Sequence, residues 1–295
     1  MLRFVCLTAY GPMRRALLAL AGVLLLVPAR AAAERLPIRA YTTADGLSHN
    51  RVNEIVRDSR GFLWFATHDG VSRFDGYTFA NFSVEQGLPH RQVMDVLETR
   101  SGELWVATFG GLVYFRPNGV PGDRVVDANA TDGVTPMFAT IVPPDADPRA
   151  RAILALLEAR DGTIWCGTRK GLFRLERGGG RFELRPVAIG MLDQYPQDTY
   201  VNDLIEDEHG SLWLATFSGL YRRWIDGTAA RYSAAQLVEG RYTNIDRTYD
   251  ILHSVSKDRR GRIWVAARGL GFFRLTAFGS REQTAEAVER IRTRL

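Results

Sequence analysis

A tryptophan recurs at positions 64, 105, 165, 213 and 264, and each copy is set in the same short phrase. A glycine stands three residues before it (Gly61, Gly102, Gly162, Gly210, Gly261), and Leu63, Leu104, Ile164, Leu212 or Ile263 immediately before it. A small pair follows, Ala66-Thr67, Ala107-Thr108, Gly167-Thr168, Ala215-Thr216 and Ala266-Ala267, then a second glycine at 70, 111, 171, 219 and 271. A chain that repeats one unit every 41 to 60 residues has to fold as an array of like parts. In each unit, short β-rich runs alternate with glycine turns, which predicts about four strands. In the first unit the strands are expected at 52–58, 62–67, 71–74 and 79–83. The fold class that follows is all-β, a β-propeller of four-stranded blades with five repeats visible. The tryptophans are expected to pack as flat plates between neighbouring blades.

Both ends of the array carry information. Residues 38–49 (IRAYTTADGLSH) copy residues 79–90 (FANFSVEQGLPH), so the chain enters on a fourth strand that lacks its first three. The fifth unit supplies three strands through Leu275 and then leaves the pattern. An N-terminal strand is therefore expected to complete the last blade and close the ring, or to start a larger one. The 60-residue second unit contains a Pro-, Gly- and Asp-rich insertion from Arg116 to Ala152, read as a surface excursion that could cover a ligand; it includes the glycosylation-type triplet Asn129-Ala130-Thr131, read as plain loop.

The first 33 residues stand apart. Arg14-Arg15, an apolar run from Ala16 to Val27 and the small residues Ala31 to Ala33 form the pattern of a cleaved secretory signal, too short to span a bilayer. The domain reading is thus a signal peptide at 1–33, propeller repeats at 34–279 and a short helix or linker at 280–295. Localisation is expected to be periplasmic or secreted. Of 38 basic residues, four arginines lie in that signal, leaving 34 against 33 acidic residues, so bulk charge gives no case for nucleic-acid binding. The mature part keeps one cysteine, Cys166, which rules out an internal disulfide. The five histidines follow no metal-ligand spacing, and no cofactor motif is present.

The strings 46–79 (GLSHNRVNEIVRDSRGFLWFATHDGVSRFDGYTF) and 201–223 (VNDLIEDEHGSLWLATFSGLYRR) resemble the two-component regulator propeller repeat. The resemblance covers residues 36 to 275. It implies the periplasmic sensor part of bacterial hybrid histidine kinases and related diguanylate cyclases, in some members recognising carbohydrate fragments. Those receptors continue into a β-sandwich, a membrane helix and an output domain, which this sequence does not display. The expectation is a sensor or ligand-binding propeller, truncated or free-standing, working with a membrane-bound signalling partner and not itself an enzyme. A periplasmic lyase- or glycosidase-like propeller and a protein-interaction scaffold are the competing readings, and fold alone does not choose among them.

In a four-stranded meander the turn between strands two and three lies on the same face as the segment entering the next first strand. Loops on a rigid scaffold carry binding, so the entry residues are the candidates: His49, Asn50 and Arg51; His90, Arg91 and Gln92; Arg149 and Arg151; Tyr200; and Asp246, Arg247 and Tyr249. Their arginines suit a small-molecule or carbohydrate ligand that carries an anionic group. His68 falls in a strand-two-to-three turn of the same face.

Overall fold

A computed structural model describes residues 38–119, 127–129, 136–233, 251–269 and 271–275. The chain is a five-bladed β-propeller built from antiparallel meanders. Blade one comprises β1 (Val52–Arg57), β2 (Leu63–Thr67), β3 (Gly70–Phe74) and β4 (Phe79–Phe82); blade two comprises β5 (Val93–Glu98), β6 (Leu104–Thr108), β7 (Gly111–Phe115) and β8 (Phe138–Ile141). Blade three is β9 (Ile153–Glu158), β10 (Ile164–Thr168), β11 (Gly171–Gly178) and β12 (Arg181–Val187). Blade four is β13 (Val201–Glu206), β14 (Leu212–Thr216), β15 (Gly219–Arg223) and β16 (Ala229–Tyr232). Blade five contributes β17 (Leu252–Lys257), β18 (Ile263–Ala267) and β19 (Gly271–Arg274) among the described residues. The predicted signal and the predicted C-terminal helix lie outside the described residues.

The repeated phrase is explained bond by bond. In blades one, four and five an aspartate stands six residues before the tryptophan. Its Oδ1 accepts from the backbone amides two and four residues on, which shapes the first hairpin, and its Oδ2 accepts from the indole Nε1: Asp58 from Trp64 at 3.0 Å, Asp207 from Trp213 at 2.9 Å, Asp258 from Trp264 at 3.1 Å. The buried donor of a large apolar ring is thereby satisfied, as a dry interior requires. In blades one to four the threonine closing strand two donates to the carbonyl of the following glycine and accepts the amide two residues on, fixing the second turn. Gly70 is required there twice over. Its φ is +94°, and a Cβ would come within 2.2 Å of the Phe82 carbonyl oxygen on β4.

Each junction from blade one to blade five is filled by one hydrophobic cluster, and four of the five repeated tryptophans lie in these clusters as the repeat predicts. Trp64 and Val71 meet Val93 and Val96; Trp105 and Leu112 meet Ile153 and Leu156; Trp165 and Leu172 meet Val201 and Leu204; Trp213 and Leu220 meet Leu252 and Val255. The inner strands add polar ties across the same junctions: Asn53 Nδ2 donates to the Val93 carbonyl at 2.6 Å and Asn202 Nδ2 to that of Leu252 at 2.7 Å. At the opposite end the amides of Ser59, Arg100 and Arg160 each donate to the glutamate closing the next inner strand, Glu98, Glu158 and Glu206. At the fourth junction the two positions are held by Glu208 and Lys257, the charges interchanged.

No comparable cluster joins blade five to blade one among the described residues. Ile55 is 53% exposed, whereas its counterparts Val96, Leu156, Leu204 and Val255 are buried. Phe272 is 81% exposed, whereas Val71, Leu112, Leu172 and Leu220 are fully buried. The positions that latch the other junctions would here bring together Arg259 and Arg57, two like charges. Among the described residues blade five shows three strands, and no residue of the N-terminal segment is hydrogen-bonded into its ladder. Tyr41 instead packs its ring against Phe74 and Phe79 of blade one, with centroids 5.1 and 5.8 Å away. Phe82 makes the same pair of contacts with Phe115 and Phe138 of blade two. Tyr41 thus takes the place that a fourth strand takes on the blade after it, and the aromatic pocket on blade one decides where it sits.

The second unit also differs from its reading as a surface excursion. Phe138–Ile141 within it is the buried fourth strand of blade two, and a one-turn helix, α1 (Pro148–Arg151), leads into blade three. Asn129 clamps the excursion to blade three through both amide atoms, donating to the Phe182 carbonyl at 3.0 Å and accepting its amide at 2.8 Å.

Candidate functional site

The turns between strands two and three line up on one face with the segments that enter the inner strands. In all five blades the first turn residue donates its backbone N–H to the carbonyl of the residue just before the inner strand: His68 to Arg51, Phe109 to Gln92, Arg169 to Ala152, Phe217 to Tyr200, Arg268 to Ile251. These five turn residues form the inner rim of the face, four of them half-buried and Arg268 exposed.

Side chains connect around this rim. The rings of His49 and His68 stack with centroids 5.8 Å apart, and Gln92 Nε2 lies 3.5 Å from His68 Nδ1. His90 lies against Phe109 at 5.6 Å. The Arg169 guanidinium sits 4.2 Å over the Phe109 ring and 5.4 Å from that of Tyr200, whose ring packs at 5.2 Å on Phe217. The result is a band that alternates imidazole, aromatic and guanidinium groups. Such a band offers flat apolar surfaces beside hydrogen-bond donors, the mixture that orients small ligands.

The predicted residues fare differently from one another. His49, His90, Gln92 and Tyr200 join the rim. The Nδ1 atoms of His49 and His90 are taken by the amides of Arg51 and Gln92, which fixes both rings. Asn50 is spent on the Thr43 amide, and Arg91 pairs at 3.2 Å with Asp69 across a junction. Arg51 and Arg151 are exposed. The Arg149 fork is already occupied, by Asp147 at 2.6 Å and the Pro196 carbonyl at 2.9 Å. Asp246, Arg247 and Tyr249 lie outside the described residues. Sequence reasoning passed over Phe109, Arg169, Phe217 and Arg268. Their signal was nonetheless present: they occupy the fourth position after each tryptophan, a variable place inside an otherwise fixed phrase.

Burial lowers the pKa of His68, with the nearby charges of Arg51 and His49 adding to the effect, and burial likewise lowers that of His90. Both rings are therefore favoured neutral, able to accept as well as donate.

Deeper along the axis, Asp95 on β5 accepts the Leu156 amide of the next inner strand at 2.7 Å, and Asp203 on β13 accepts that of Val255 at 3.0 Å. Burial pushes Asp95 up to about 7; the Leu156 amide opposes this, and the charges of Glu54 and Asp203 add to it. A carboxyl whose folded pKa is raised gives its full contribution below its unfolded value of 3.8 and loses it as pH rises toward 7. Asp95 keeps partial exposure to the axis, so the change is expected to be on the order of 1–3 kcal/mol. Melting curves of Asp95→Asn between pH 4 and 8 should show a flatter stability profile than the parent. An unchanged slope would mean that Asp95 does not carry it.

Comparison with known proteins agrees with this architecture. Residues 46–69 and 87–110, which run from the entry segments to the strand-two-to-three turns of blades one and two, match the family model for the two component regulator propeller. Two of its five units are thus similar to that repeat. Over 41 residues, 14% of this chain and 3% of the relative, it is 46% identical to a protein of Formosa agariphila described as histidine kinase P4. Among solved structures, the propeller superposes on the extracellular domains of two putative hybrid two component systems of B. thetaiotaomicron. One gives a TM-score of 0.61 at 20% identity, covering 83% of this chain and 31% of that one; the other gives 0.58 at 18%, covering 78% and 28%. PorZ, a surface component of the type-IX secretion system of Porphyromonas gingivalis, gives 0.50 at 17%, covering 80% and 33%. The chain thus spans about a third or less of each of these four proteins, and at these identities the structural likeness is one of fold.

Proposed function

We propose that this chain is the extracytoplasmic ligand-binding propeller of a bacterial two-component-type signalling system, acting as a binding module and not as a catalyst. The observation that carries the reading is the rim. Five turns share one backbone hydrogen bond to the entry segment, and in four of them the same threonine and glycine chemistry fixes the turn, while the residue each presents varies among His68, Phe109, Arg169, Phe217 and Arg268. Fixed scaffold and varied tips are what a recognition surface needs. The two component regulator propeller match and the signal-like first 33 residues support export and a signalling context. A membrane-bound partner would supply the output.

The test begins with a thermal-shift screen of small molecules and glycans, followed by calorimetry with the best hit. Phe217→Ala and His68→Ala are expected to weaken binding by one to two decades, since one good polar or aromatic contact is worth roughly 1–3 kcal/mol. Asp161→Asn and Arg259→Gln, exposed residues on the opposite face, should leave the affinity as it was. The reverse pattern would move the site off the rim.

A further inference from the structure

Arg169 stands out among the arginines of this face. Its Nε is buried without a hydrogen-bond partner, and among the described residues its guanidinium forms neither an ion pair nor a hydrogen bond. Its neighbours are not in that position. Lys170 Nζ is held by Asp145 at 2.8 Å and lies 3.6 Å from Asp147, and Arg149 is held by Asp147. Asp145 and Asp147 are therefore engaged by these other cations. The backbone of Arg169 is tied down: its amide donates to the Ala152 carbonyl at 3.1 Å, and its carbonyl accepts the Thr199 hydroxyl at 2.8 Å. Phe109 and Tyr200 flank the plane of the side chain.

A buried guanidinium N–H left without an acceptor carries a desolvation cost of roughly 1–3 kcal/mol, and cation–π contact offsets only part of it. The missing partner must be an acceptor that can reach the edge of the fork, because the ring faces beside it are occupied. A carboxylate is planar and accepts two parallel N–H bonds, which matches that edge. We propose that Arg169 anchors the carboxylate of a small ligand, with Phe109 and Tyr200 holding the guanidinium in place. The proposal rests on the reading of the rim as the binding face and names the ligand group recognised there.

The experiment uses protein labelled with nitrogen-15 and titrated with sodium benzoate, in parallel with inorganic phosphate and with sodium chloride at matched ionic strength. The amides of Lys170 and Tyr200 report binding in every variant, and the Nε–Hε signal of Arg169 reports it directly. Benzoate is expected to give a saturable shift of that signal by about 20 mM, well above a millimolar dissociation constant. Phosphate should bind more weakly, and chloride should give no saturable shift. Arg169→Lys keeps the charge but loses the fork, and is expected to weaken benzoate binding at least tenfold. Arg169→Gln should abolish it. Arg181→Gln, an exposed cation at the turn between strands three and four on the opposite face, should bind as the parent does. Three results would each overturn the proposal: no shift at the top of the titration, equal response to benzoate and chloride, or parental affinity in Arg169→Lys. If any of them occurred while a screened ligand still depended on Phe217 and His68, the rim would remain the binding face and only the anion assignment would fail.

Discussion

Replacing Trp213 by alanine is expected to lower stability by about 3–5 kcal/mol, a fall in melting temperature of roughly 6–20 °C for a domain of this size. The indole is fully buried between blades four and five, stacks with Tyr232 and satisfies its N–H on Asp207. Truncation would open a cavity and leave Oδ2 of Asp207 with one donor fewer. The same change at Trp264 should cost less, about 1–2 kcal/mol, because that ring keeps partial exposure and no cluster forms beyond it among the described residues. Calorimetric melting of the two variants side by side tests the argument. Equal losses would show that the repeated tryptophans act alike wherever they stand.

The second large effect is expected at Asp207. Its carboxylate accepts four bonds: the amides of His209 and Ser211, the Trp213 indole, and Arg222 at 3.1 Å. Arg222 is 1% exposed and also stacks on Trp213 and Trp224. Removing one partner of a buried ion pair leaves the other charge without its counter-charge, typically a loss of about 3–5 kcal/mol. Asp207→Ala should show a loss of that size in urea unfolding. Adding Arg222→Met in the same chain should recover part of it, since the buried charge that has lost the Asp207 carboxylate is then gone. No recovery would mean that the damage comes from the opened hairpin, whose two amides lose their acceptor in either case.

The sequence made the scaffold readable because the scaffold chemistry is local. Tryptophan, aspartate, threonine and glycine interact within a few residues of one another, so their spacing survives in every copy. Strand β8 was hidden for the opposite reason: its four residues follow a long excursion that carries them away from the framework phrase. The likeness of residues 38–49 to 79–90 carries over to packing: Tyr41 goes to the Phe74 and Phe79 pocket of blade one as Phe82 goes to Phe115 and Phe138 of blade two. Arg149 looked available because arginine is usually exposed, but Asp147, two residues before it, takes its fork. Arg169 was overlooked because it lies inside the framework phrase, where every neighbour serves the fold.

The two blade faces that share no apolar cluster among the described residues have a thermodynamic consequence. Blades two, three and four each share an apolar boundary with a neighbour on both sides, whereas blades one and five each share one among the described residues. In a linear array the free energy of a unit is its own plus that of its boundaries, so terminal units open first. Amide exchange should then be graded along the chain, slowest at the inner strand of blade three and fastest at those of blades one and five. Arg169 and Phe109 belong to the slow middle, so that part of the rim would keep its shape while the ends breathe.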